Sequence, residues 1–136
     1  MIHQSSVVPV QVRNDRLRIL IISNLNQTRW IVPKGIVEHG LTPAQSAVKE
    51  AMEEAGVAGV ILPQSLGTYA YRKWNDTCHV ELFVLRVTHI YDNWEEDKFR
   101  KRRWIDWEEF IEVVDGRIPR SLLHKLPPMV NPLNDP

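Results

Sequence analysis

Glu50, Glu53 and Glu54 are spaced three and four residues apart within Lys49-Glu50-Ala51-Met52-Glu53-Glu54-Ala55-Gly56-Val57. At about 100° per residue, a helix gathers these carboxylates into roughly 100° of arc. Each like-charged pair costs on the order of a few tenths of a kcal/mol on an isolated helix. The three also fall toward the helix C-terminus, where the backbone dipole disfavours negative charge. Two readings account for such a cluster. One is a solvated acidic face, common on surface helices. The other is a hard-cation site: Mg²⁺ takes oxygen ligands, keeps several waters and uses one or two carboxylates together with substrate phosphate oxygens.

The segment before the helix bears on this choice. Pro33-Lys34-Gly35-Ile36-Val37-Glu38-His39-Gly40 lies between an apolar run and the helix N-terminus. Gly35 and Gly40 let the backbone approach a ligand closely, and a carbonyl at Lys34 or Gly35 can add an oxygen ligand. Other chemistries find little support. Cys78 and His79 are adjacent on a predicted strand, so they point to opposite faces and cannot form a nucleophile–base pair. The five histidines show no zinc-ligand spacing. No nucleophile-elbow or phosphate-loop motif is present. Arg13, Arg72, Lys73, Arg100 and Arg102 are candidates for holding phosphate, since a guanidinium suits bidentate phosphate contacts; surface charge is their alternative role. Tyr69, Tyr71 and Trp74 are expected to pack in the core, with base stacking as the alternative.

These side chains require a helix held against a sheet. Thr42 is predicted to cap a helix reaching Ala55, with Pro43 at its first position, Gln45 closing a capping box and Gly56 ending it. Ala44, Ala47, Val48, Ala51, Met52 and Ala55 form its apolar face. Strands are predicted over Val7 to Val12, Leu17 to Ser23 (entered through Asn14-Asp15), Trp30 to Val32, Leu66 to Tyr71, and within Cys78 to Ile90. Pro9 suggests an edge position or a bulge in the first of them. In the last, Val80, Leu82 and Val84 alternate with Phe83, Leu85 and Val87, so both faces are expected to be covered. Glu81 is expected at an exposed strand end. A second helix is predicted from Trp107 to Val114, capped by Asp106 and Glu109, with a short helical piece after Pro119. The order of elements implies an α+β fold, an α/β/α sandwich around a mixed β-sheet.

The composition sets limits. The chain has 136 residues, one domain's worth with a core over about residues 5–126. Residues 127–136 read as a proline-rich, extended or frayed tail. The longest aliphatic run, Ile19 to Ile22, is far too short for a bilayer span. One cysteine excludes an internal disulfide, and no charged-then-apolar leader opens the sequence; a reducing, cytoplasmic location is expected. Lys plus Arg and Asp plus Glu number 17 each, which gives no overall attraction to DNA or an anionic membrane.

Gly35 together with residues 49–57 resembles the Nudix box, Gly-x5-Glu-x7-Arg-Glu-U-x-Glu-Glu-x-Gly-U, where U is bulky and apolar. The spacing between the glycines and the last three glutamates is kept. Leu41 replaces the first glutamate of the pattern and Lys49 its arginine, and Ala51 is small for its position. In the family those two replaced side chains pair and brace the loop against the helix; here both are lost together. Arg29-Trp30-Ile31-Val32-Pro33, and Asn93-Trp94-Glu95-Glu96 with Arg100, Arg102 and Trp104, are similar to the diphosphoinositol polyphosphate phosphohydrolase branch, which also hydrolyses diadenosine polyphosphates. The resemblance implies a Nudix fold. It further implies Mg²⁺-dependent hydrolysis (Mn²⁺ as a substitute) of a phosphoanhydride in a nucleoside polyphosphate such as a diadenosine polyphosphate, by a metal-activated water. Glu50 and Glu54 would bind metal with the carbonyl of Lys34 or Gly35, and Glu53 would accept the proton. The alternatives are an inositol pyrophosphate substrate, removal of pyrophosphate from RNA 5′ ends, which the zero net charge disfavours, or a non-catalytic nucleotide-binding domain. The expected partner is a small polyphosphate, with neither membrane nor DNA; a homodimer is a further expectation.

Overall fold

The computed structural model describes residues 1–130. Its centre is β1 (Ile2–Arg13), which runs antiparallel to β2 (Arg16–Ser23) through a two-residue turn. Asn14 and Asp15 take that turn at φ +52° and +62°, a conformation short polar side chains tolerate. β3 (Trp30–Ile31) extends β2. β4 (Lys34–Ile36) returns to pair with Gln4 to Ser6 of β1. After the carboxylate helix come β5 (Val57–Ile61), β6 (Gly67–Lys73), β7 (Asp76–Ile90) and β8 (Arg102–Asp106). The path across the sheet is β3-β2-β1-β7-β5, with β4 on β1, β6 on β7 and β8 on β2. Only the β1–β7 pairing is parallel among the named strand pairs, so the sheet is mixed.

Pro9 lies in this interior strand rather than at an edge. Val7, of the same parity, donates its N–H to Pro33 O, so the nitrogen of Pro9 faces that side as well. Pairing with β4 stops at Ser6 and pairing with β2 starts at Val10. The missing N–H therefore falls in a gap of the ladder, where a proline is harmless.

Alternating residues feed two cores. Val8, Val10, Ile19, Ile21, Leu82 and Val84 pack on one face against α2 (Trp107–Val113), α3 (Arg120–Leu123) and α4 (Leu126–Val130) through Phe110, Leu123 and Leu126. Val7, Leu20, Ile22, Phe83, Leu85 and Val87 pack on the other against Ala47, Ala51 and Ala55. This is the expected α/β/α sandwich, and β7 is covered on both faces as its sequence required.

Several expectations need correction. Asp106 stands at the N-cap position of α2 but makes no capping hydrogen bond. Its carboxylate accepts instead from Arg16 at 2.7 Å, and Glu109 pairs with Arg103. Glu81 sits in the middle of β7, half-buried, where it accepts a hydrogen bond from Ser65 Oγ at 3.0 Å. Pro127 and Pro128 belong to α4 rather than to an extended tail, with Leu126 and Val130 buried. Prolines fit a first helical turn because those N–H groups have no intrahelical partner. The remainder of the expected tail, 131–136, lies outside the described residues.

Candidate active site

Local sequence fixes both ends of the carboxylate helix. Thr42 Oγ1 accepts the Gln45 N–H at 3.1 Å while Gln45 Oε1 accepts the Thr42 N–H at 2.9 Å, completing the capping box. The α-helix α1 spans Pro43–Glu50 and continues as a π-helical turn over Ala51–Ala55. Such widened turns recur at functional sites, and this one begins directly after Glu50. Gly56 closes it at φ +66°. Here glycine is required twice over, since a Cβ would also lie 2.7 Å from Arg102 Nη1 and 2.8 Å from Trp94 Cγ.

The turn is held from outside as well. Arg102 donates from Nη1 to Ala55 O at 2.9 Å and from Nη2 to Tyr91 O at 2.6 Å, with its guanidinium 3.9 Å from the Trp94 ring centre. Trp94 Nε1 donates to Glu54 O at 3.0 Å, and the Glu96 N–H donates to Glu53 O at 3.1 Å. A cation and several N–H groups thus satisfy the carbonyl end of the helix.

The three glutamates differ in environment. Glu54 is buried; its Oε1 accepts the Lys34 N–H at 3.1 Å and its Oε2 lies 3.5 Å from Arg100 Nη2. Burial pushes its carboxyl up to about 8, with Arg100 opposing and Glu50 adding to the rise. Glu50 is also raised, chiefly by burial, and shares a hydrogen bond with Glu54. The Gly35 backbone lies so close to it that a Cβ there would sit 2.2 Å from Glu50 Oε1. Glu53 is more open and lies 3.4 Å from Lys49 Nζ.

These features fit a hard divalent cation. Two desolvated carboxylates face each other with unfavourable charge that a cation would neutralise, and backbone carbonyl oxygen is at hand. Among the described residues, no three Asp, Glu, His or Cys side chains converge on one point.

A cavity of about 390 Å³ is lined by Lys34 and Arg100, the two residues that also contact Glu54, and by none of the three glutamates. Arg29, Lys34, Lys73, Arg100 and Arg117 line it, against a single acid, Asp115. Lys34 belongs to both places: its N–H binds Glu54, while its ammonium lines the cavity and donates to Tyr71 Oη at 2.9 Å. Burial, then Arg117 and Lys73, lowers this amine to about 8.

A NUDIX domain model matches residues 2–125. The chain belongs to the Nudix family. Nudix hydrolase 12 of Arabidopsis thaliana, named as mitochondrial, is 34% identical over 107 residues, covering 73% of this chain and 53% of that protein. Diphosphoinositol polyphosphate phosphohydrolase 3-beta of Bos taurus is 38% identical over 104 residues, covering 74% and 62%. This Nudix chain therefore spans between about half and two thirds of the length of these curated relatives. An Ap4A hydrolase of C. elegans superposes with a TM-score of 0.76 over 96% of this chain and 98% of that one, at 21% identity, a likeness of fold.

The predicted phosphate-binding residues of the Nudix chain part company in space. Lys73 and Arg100 line the cavity, but Arg100 is buried and also donates to Glu96 at 2.8 Å and to Ser23 O at 3.0 Å. Arg102 serves the helix end. Arg72 is exposed and donates to Thr77 Oγ1. Arg13 is at the far end of β1, seven residues beyond Ser6, the partner of Lys34; that is roughly 23 Å along a strand. Sequence reasoning missed Arg29, Arg117 and the Lys34 ammonium as cavity cations. A signal existed for Arg29 and Lys34, which bracket Trp30 to Pro33. Nothing local marks Arg117.

Proposed function

We propose that this Nudix domain, acting as one unit over residues 1–136, is a divalent-cation-dependent pyrophosphohydrolase that cleaves a phosphoanhydride bond in a nucleoside polyphosphate such as a diadenosine polyphosphate. The observation that carries this reading is the double role of Lys34, which couples the buried carboxylates to the cationic cavity. Glu50, Glu54 and the carbonyl of Lys34 or Gly35 would hold Mg²⁺ or Mn²⁺. When bound, such an ion cancels phosphoryl charge and acidifies a water ligand. Lys34, Lys73 and Arg117 would hold the phosphate chain and balance charge on the departing phosphate. Glu53, more open than Glu54, would take the proton as water oxygen bonds to phosphorus and the bridging P–O bond breaks. The lone buried Cys78 supports a reducing location such as the cytoplasm. Among the described residues, no helix is long and apolar enough to cross a membrane.

A panel of diadenosine polyphosphates, nucleoside triphosphates and inositol pyrophosphates, with and without Mg²⁺, tests the proposal. Turnover of a nucleotide member that requires the cation is expected. Glu53→Gln should lower kcat about 10²–10⁴-fold, the span of lost general-base catalysis. If no member is turned over, or if Glu53→Gln matches the wild type, a nucleotide-binding domain without catalysis is the better reading. An inositol pyrophosphate substrate is the second reading, favoured by the 38% identity to the bovine phosphohydrolase; the same panel separates the two.

A further inference from the structure

The cations that line the cavity are held in two different ways. Arg29 and Arg100 answer to acids: Arg29 lies 2.9 Å from Asp115, and Arg100 lies 2.8 Å from Glu96 and 3.5 Å from Glu54. Among the described residues, no carboxylate stands within ion-pair distance of the Lys34, Lys73 or Arg117 side chain. These three rest on aromatic rings instead. The Lys34 ammonium is 4.4 Å and the Arg117 guanidinium 5.1 Å from the centre of the one Tyr71 ring. The Lys73 ammonium is 4.2 Å from the ring centre of Trp74, which is exposed rather than packed in the core. Tyr71 also has a fixed hydroxyl. It accepts from Lys34 Nζ at 2.9 Å and donates to Gln4 Oε1 at 2.8 Å, and Gln4 is buried in β1. One half-buried side chain on β6 thus joins β1, β4 and the segment between α2 and α3.

The manner of holding matters to an anion. A carboxylate fixes a cation but cancels its charge, whereas an aromatic face fixes it through the ring quadrupole and leaves the charge unspent. Arg117 and Lys73 stand close enough to Lys34 for their like charges to repel it. Arg117 is exposed, and a long side chain free in water samples many rotamers. Cations already set over the cavity spare an incoming anion the cost of ordering them. We infer that Tyr71 is a positioning residue, which holds Lys34 and Arg117 side by side over the cavity so that both remain available to a phosphate chain without itself touching that chain. This rests on the reading of the cavity as the polyphosphate site, but it concerns binding rather than the chemical step.

The test measures binding of inorganic tripolyphosphate by calorimetry in EDTA, which probes the cations without a base or a metal. Tyr71→Leu removes the ring and the hydroxyl and should weaken tripolyphosphate about tenfold, the worth of two cation–ring contacts. Tyr71→Phe keeps the ring and loses only the acceptor for Lys34, so a loss of about threefold is expected. In an Arg117→Gln background, Tyr71→Leu should cost about threefold instead of tenfold, because one of the two cations it acts through is gone. On a substrate that is turned over, KM in Tyr71→Leu should rise by more than kcat falls; a variant that is merely less folded loses kcat and keeps its KM. Equal losses in the two backgrounds, an affinity unchanged by Tyr71→Leu, or no tripolyphosphate binding by the wild type overturns the inference. Should the leucine variant not fold, Tyr71→Phe decides, and an unchanged affinity in it is the overturning result. If substrates are turned over while the Tyr71 variants bind tripolyphosphate as the wild type does, the positioning role fails and the hydrolase reading stands. If nothing is hydrolysed but the coupling between Tyr71 and Arg117 holds, the hydrolase reading fails and the positioning role stands.

Discussion

A carboxyl group buried beside another carboxyl carries a pH signature that a surface acid does not. Glu54 is raised to about 8 by burial, with Glu50 adding to the rise and Arg100 and the Lys34 N–H opposing it. The folded, cation-free protein thus retains a proton that the unfolded chain releases near the ordinary value of 4.5. Stability from this group is present in full below that value and is lost as pH rises toward about 8. Glu50 acts in the same direction. Lys34, lowered to about 8, works from there upward and leaves the window clear. In EDTA, the melting temperature of the wild type is expected to fall between pH 5 and pH 8, while Glu54→Gln falls less, by the share Glu50 keeps, and ends above the wild type. Mg²⁺ at pH 8 should raise the wild type and leave Glu54→Gln unmoved. A wild-type melting curve with the same pH profile as Glu54→Gln would refute the account. The three-and-four spacing made this cluster legible in the sequence, but the burial of Glu54 was not. A regular helix puts all three acids on one outward arc, whereas here β4 and Arg100 close over the third.

At the scale of elements, the loop and the helix are joined by a substitute brace. The Nudix pattern pairs a glutamate at the position of Leu41 with an arginine at the position of Lys49, and neither is present. Lys49 Nζ instead donates to both oxygens of Glu38, at 2.6 and 2.7 Å, and this hydrogen bond raises its pKa. The Glu38 N–H donates in turn to Ser46 Oγ at 3.3 Å, and Glu38 O accepts the Leu41 N–H at 3.1 Å. The anchor on the loop has moved three residues toward Gly35, whose backbone touches Glu50. The pair is solvent-exposed, so its value lies in where it holds the loop more than in stability. Glu38→Gln is therefore expected to lower kcat/KM several-fold with little change in melting temperature. Adding Leu41→Glu and Lys49→Arg to it should rebuild the family's pairing and recover activity. Failure of the triple variant to exceed Glu38→Gln would show that the brace does not position the loop. The sequence signalled that a pair was missing; the replacement was hidden because Glu38 and Lys49 meet only once the loop folds back on α1. The role of Arg102 was hidden for the same reason, since the helix-end carbonyls of Ala55 and Gly56 that it satisfies lie 47 and 46 residues away along the chain.

The whole molecule shows which long-range patterns a sequence can carry. Strands with apolar residues on both faces announced the sandwich, and β7 alone implied cover on each side. The short strands β4, β5 and β8 were not seen; β4 and β8 owe their place to the partners β1 and β2 rather than to any alternation of their own. The C-terminal segment departs most from expectation. Its proline pair suggested that the core ends near Leu126, and the family match itself stops at residue 125. Yet Leu126 and Val130 are 0% and 1% exposed and pack with Phe110 and Leu123 against the β-sheet. The same layer reaches the cavity through Ile118. Cutting the chain after Lys125 removes two buried aliphatic side chains, a loss of about 3–6 kcal/mol at the usual 1.5–3 kcal/mol each. Denaturant unfolding of the truncated chain should show that loss, and the double variant Leu126→Ala, Val130→Ala should show most of it with the backbone intact. Because the carboxylates lie on the α1 side of the sheet, Mg²⁺-dependent stabilisation should survive in whatever fraction of the truncated protein remains folded. An unchanged unfolding midpoint in both variants would mean that α4 lies on the core without closing it.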